Sequence, residues 1–175
     1  MKDLRLGIIS FILFIFLLVE GTIFQVFVPD AWGLPFTIVP RLVLAGVIFI
    51  GIYLGKNTGL VYGLIFGLLY DIIYTDMIGV YTLSMGLMGF SAGLAARYFH
   101  QTIFFTSSMI LILTTINESL AYGFYELFNL SNMSMSDFLL RELIPTVLFN
   151  GIFAMIIHVP MRNVLKDKGY GEDIV

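Results

Sequence analysis

Six apolar runs, at about 6–28, 37–54, 58–75, 79–97, 102–128 and 138–161, take up nearly all of this 175-residue chain. Each is close to the roughly 20 residues that a helix needs to cross the hydrocarbon core of a bilayer. The spacing predicts an all-α fold: a six-span transmembrane helix bundle over residues 1–161, followed by a short cytoplasmic tail at 162–175.

The basic residues orient that bundle. Lys2, Arg5, Lys56, Arg97, Arg162, Lys166 and Lys168 all fall on one side of the alternating pattern. The opposite connections, around 28–37, 74–79 and 128–137, carry Asp30, Asp76 and Asp137 but neither Lys nor Arg. Positive charge in short loops marks the cytoplasmic side, so both termini are expected inside the cell. The first run starts like a signal peptide. It passes into Glu20-Gly21-Thr22 and becomes apolar again instead of reaching a small-residue cleavage pattern, so it is expected to be a retained span.

With 59% hydrophobic and 12% charged residues, the chain is too apolar for an ordinary soluble domain, and no connection has room for one. The basic residues are spread along one face and form no nucleic-acid stripe. The absence of cysteine excludes disulfides, thiolate chemistry and cysteine metal sites. No phosphate-binding loop, HExxH or GxSxG motif is present, so no catalytic set, metal or cofactor is expected. His100, beside Arg97, and His158, near the inner end of the last span, are expected to be interfacial. Tyr53, Tyr74 and Tyr98 are expected in the aromatic belts.

Ten of the seventeen glycines lie between Gly46 and Gly93, many of them four apart. Four residues make about one helical turn, so Gly59, Gly63 and Gly67, and likewise Gly89 and Gly93, form flat stripes where a second helix can approach. Spans two to four are expected to pack most tightly. The stripes suit packing within the chain or a groove for a partner helix. Lys56 to Gly59 is expected to form a tight cytoplasmic turn, and Pro40 to sit near the start of the second span, where its missing N–H costs little.

Five ionisable residues fall in or at the ends of the runs. At 1.5 Å per residue, Glu20, Asp71 and Glu118 lie roughly 21, 20 and 22 Å up their outward-running spans. Arg41 and Arg141 lie near the outer ends of inward-running spans. A lone charge facing lipid is expensive, so this buried polar layer is expected to face inward. The pairings expected are Arg41 with Asp71, and Arg141 with Glu118 or Glu142. Glu20 lies near either pair, and Asn117 and Asn150 extend the network. One reading is a polar clasp that fixes helix packing; the other is a small-molecule site or proton route open to the outside. Glu118 and Glu126 share a helix face, but no nucleophile or metal motif accompanies them.

The stretch from Asn57 to Asp71, with Gly63 before the core Gly67-Leu68-Leu69-Tyr70-Asp71 and Gly79-Val80-Tyr81-Thr82-Leu83 after it, resembles the signature of the bacterial MreD family of rod shape-determining proteins. Pro40-Arg41 matches that family's proline and polar residue at the start of the second span. The resemblance implies a non-enzymatic, multi-pass subunit of the cell-elongation machinery in the bacterial cytoplasmic membrane. It implies a single-span MreC-like partner bound within the membrane, and through it MreB filaments and RodA with its penicillin-binding partner. Gly79 joins Gly59, Gly63, Gly67, Gly89 and Gly93 as expected helix-packing or partner-binding positions. The family is also similar to the S subunits of energy-coupling factor transporters, six-helix bundles with a ligand pocket in the outer half. That likeness implies an alternative role as a substrate-binding subunit for a vitamin or small solute.

Overall fold

The computed structural model describes residues 2–26, 33, 36–130 and 133–165, with side chains from residue 6 and, between 23 and 35, only at Gly33. Every regular element among them is helical. The order is α1 (Lys2–Val26), α2 (Leu42–Leu54), α3 (Lys56–Tyr74), α4 (Val80–Ala95), α5 (Ile103–Leu127) and α6 (Met135–Asp137), then a π-helical turn (Phe138–Leu143) and α7 (Ile144–Leu165).

Among the described residues, three stretches are long and apolar enough to cross a bilayer: Lys56–Tyr74, Ile103–Leu127 and Met135–Leu165. Leu6–Thr22, Leu42–Leu54 and Val80–Ala95 are apolar but shorter. The outward faces are apolar too. Leu148, Ile152, Met155, Ile156 and Val159 line the exposed side of α7, and Ile65, Ile72 and Ile73 that of α3. An apolar surface this continuous suits lipid, not water.

Helix α2 is buried on every side, from Leu42 to Ile52. It has no polar stripe to offer solvent, and a helix apolar all round belongs in the middle of its bundle. Its 13 residues span only about 20 Å. α3 and α4 pack on it most closely, and the glycines explain why. A Cβ on Gly59 would lie 2.7 Å from the Gly51 Cα, one on Gly63 2.7 Å from the Gly86 Cα, and one on Gly67 2.8 Å from the Thr82 Cα. Gly89 and Gly93 meet backbone of α3 and α2 in the same way.

Two glycines act differently. Gly55 alone joins α2 to α3, at φ 96° and ψ 163°, a region that is essentially glycine-only. The tight turn expected at Lys56 to Gly59 is therefore already the first turn of α3. Gly79, expected among the packing positions, is instead the left-handed residue that starts α4, at φ 114°, and a Cβ there would meet nothing within 4 Å.

Pro40 lies near the start of the second span as expected, one residue before the cap Arg41. Helix α7 runs through Pro160 to Leu165, while residues 166–175 lie outside the described ones. One further expectation changes. His158 is buried, not interfacial: it packs beside the stacked rings of Phe49 and Tyr53, with ring centroids 6.1 and 6.5 Å away.

Candidate functional site

The chain enters α2 through a non-helical segment at 36–41, and residues from the C-terminal part of the chain satisfy that segment's backbone. The Thr37 N–H donates to the Arg141 carbonyl (2.6 Å), and the Val39 N–H to the Thr146 hydroxyl (3.0 Å). Asn150 accepts from the Arg41 N–H (2.8 Å) and donates to the carbonyls of Val39 (3.2 Å) and Thr146 (2.8 Å). Non-helical backbone at membrane depth is tolerable only when protein groups satisfy it like this.

The segment delivers Arg41, 4% exposed, to the centre of the polar layer. Its Nε and Nη2 donate to the two oxygens of Glu118 at 2.6 and 2.7 Å, a two-pronged contact that matches the planar guanidinium. Nη1 donates to the Tyr70 hydroxyl (2.7 Å) and Nη2 also to that of Tyr81 (2.8 Å). The faces of both rings lie toward the guanidinium carbon, with centroids 5.5 and 4.8 Å away. Glu20 approaches from α1. Its Oε1 is 3.9 Å from Nη1, while its Oε2 accepts from the Val43 N–H (3.1 Å) in the first turn of α2. Asn117 donates to Glu118 Oε1 (3.2 Å). One arginine thus joins α1, α2, α3, α4 and α5.

Asp71 is fully buried but takes no part in that hub, contrary to the expected Arg41 pairing. The neighbouring Tyr70 points to Arg41 instead. Asp71 turns about 100° further round α3 and faces the start of α4. There its carboxylate accepts from the N–H groups of Gly79 (2.8 Å), Tyr81 (3.0 Å) and Thr82 (2.8 Å) and from the Thr82 hydroxyl (2.6 Å). These amides are otherwise orphaned, and the end of a helix dipole favours an anion. The spacing from Asp71 to Gly79 thus has a mechanical meaning: a carboxylate on one helix caps the next, through a turn that needs glycine. Asp71→Asn puts an amide donor among these four donors and the Thr75 hydroxyl, a fifth at 3.4 Å. It is expected to cost about 1–3 kcal/mol, seen as a lower thermal midpoint in detergent with helix content retained.

Arg141 is not part of the buried layer. Its side chain is 61% exposed and pairs with Asp137 one turn back, at 3.0 Å. The extra residue in the π turn carries the side chain outward, while its carbonyl serves Thr37. Glu126 is exposed as well, so it does not share the buried face of Glu118. Two hub residues were missed in the sequence, Tyr70 and Tyr81. The available signal was a tyrosine deep in an apolar run, whose hydroxyl needs a partner once buried.

Beside the hub is a cavity of about 230 Å³, lined by Glu118, Glu142, Tyr81, Tyr122, Tyr125 and Phe138 among others. Among the described residues no group of three or more His, Cys, Asp or Glu is arranged to hold a metal ion.

The family model for the rod shape-determining protein MreD matches residues 6–168. The chain belongs to that family. The rod shape-determining protein MreD of Bacillus subtilis (strain 168) is 29% identical over 123 residues, covering 70% of this chain and 72% of the relative. No solved structure matches. MreD proteins are non-catalytic membrane components of the bacterial cell-elongation machinery, and this chain is one of them. The match takes in the residues of both the Arg41 hub and the Asp71 cap.

Proposed function

We propose that this MreD chain is an intramembrane adaptor of the rod complex. It crosses the cytoplasmic membrane six times with both ends inside, and binds a single-span MreC-like protein through its lateral helix faces. Through that partner it connects to MreB filaments, RodA and the penicillin-binding partner of RodA. The observation that carries the reading is the family match over 6–168. The apolar outward faces of α3 and α7 support it, since short connections leave lateral surfaces as the main place to dock. So does the hub, which gives the bundle a fixed shape to present. Residues 1–161 make up the membrane domain and the remainder a cytoplasmic tail. Depletion in a rod-shaped host is the test: loss of rod shape and of lateral wall-synthesis foci is expected, and cells that keep both would rule out the adaptor role.

The transporter-subunit reading has one observation in its favour, the cavity that reaches Glu118. At about 230 Å³ it is smaller than the ~300–1,000 Å³ of typical small-molecule sites. Co-purification separates the two readings, since an ATPase cassette and a single-span extracytoplasmic protein are different companions.

A further inference from the structure

The cavity beside the hub has a chemistry of its own. One wall is aromatic: Tyr122 stacks on Phe138 with centroids 4.2 Å apart and planes 13° from parallel. The Tyr122 hydroxyl donates to the Met133 carbonyl (3.0 Å), which fixes the ring. Tyr81 is held by Arg41 from the other side. At the carboxylate end are Glu118 and Glu142.

Formal charge there is unbalanced. Both oxygens of Glu118 are matched to Arg41. Glu20 also faces that arginine, and its Oε1 is buried with no hydrogen-bond partner among the described residues. Glu142 has no ion-pair partner among the described residues, and its neighbour Arg141 is taken by Asp137. Three carboxylates therefore share one guanidinium. Aromatic rings lining a cavity beside an uncompensated carboxylate suit an organic cation. The volume suits one long side chain better than a whole metabolite.

We propose that this cavity receives one basic side chain, lysine or arginine, from the extracytoplasmic segment of the partner protein. The inference rests on the adaptor reading and specifies its contact. The cation stacks against the aromatic wall and meets Glu142, and the partner is thereby held at a fixed rotation about the bundle.

The cysteine-free chain allows a direct test. Leu130 lines the cavity and is 54% exposed, so Leu130→Cys places a single thiol at the mouth. In nanodiscs, methanethiosulfonates of equal length carrying an ammonium or a sulfonate are compared, each rate normalised to that with a free thiol. The ammonium reagent is expected to react about tenfold faster, and Glu142→Gln to bring the two close to parity. Parity in the chain that retains Glu142 overturns the cation site. In the second arm the single-span partner is co-expressed. It should protect the thiol from the ammonium reagent, and Glu142→Lys, which fills the cavity with its own ammonium, should lower partner recovery about tenfold; Glu142→Gln, of unchanged volume, should lower it less. Cation preference with unchanged recovery in both variants overturns the partner as source. If the wild-type chain recovers no such partner, the adaptor reading falls, and the thiol rates report on the cavity separately.

Discussion

Arg41→Met should destabilise the bundle by about 3–5 kcal/mol, the usual cost of breaking a buried ion pair by removing one partner. The substitution leaves Glu118 buried without its two-pronged donor, and strips Tyr70 and Tyr81 of the N–H groups that hold their hydroxyls. Unfolding in mixed micelles, followed by helix content, measures it. The informative comparison is Arg41→Met combined with Glu118→Met. An apolar pair of similar volume often replaces a buried ion pair at little cost, so the double variant should recover more than half of the loss. A double variant that loses the sum of what Arg41→Met and Glu118→Met each lose would put the coupling between the two positions near zero and mean that the pair is not what Arg41 contributes.

Gly63→Leu is the second large effect. The added side chain must occupy space now filled by the Met85–Gly86 backbone, which cannot rotate away as a flexible side chain would. α3 and α4 have to separate, at a cost of at least about 1–3 kcal/mol for overpacking. Separation also draws Asp71 off the start of α4, so the cap and the glycine contact fail together. Gly123→Leu is the control. A Cβ there meets nothing within 4 Å, and the change should stay within about 0.5 kcal/mol. Thermal midpoints of the two variants in the same detergent decide the matter.

The sequence made the apolar helices and the glycine stripes readable because both are periodic. A run of length twenty or a glycine every fourth residue survives without knowledge of any partner. The composition of the polar layer was readable too, since Glu20, Arg41, Asp71 and Glu118 are conspicuous in lipid-like surroundings. Its pairing was not. Arg41 and Asp71 lie at similar depth, and Coulomb attraction alone would join them. What decides is the direction each side chain leaves its helix, and Tyr70 rather than Asp71 has the heading toward Arg41. Depth along a helix is a count of residues; heading depends on how each helix is rotated against its neighbours. Arg141 failed for a local reason. The π turn inserts one residue and turns the guanidinium outward, and nothing in Phe138 to Leu143 announces such a turn. His158 departed from expectation because it packs against the Phe49 and Tyr53 rings, a contact between helices that residue spacing does not show.

The hydrogen bonds that Thr146 and Asn150 make to the stretch just before α2 have a consequence for biogenesis. Those groups reside on α7, synthesised more than a hundred residues after the backbone they satisfy. Until α7 arrives, the backbone at the entrance to α2 lacks the groups that satisfy it. The first half of the protein therefore stays provisional until α7 has been made. Chains cut short before Ile144 are expected to be cleared by membrane proteases, while full-length ones escape.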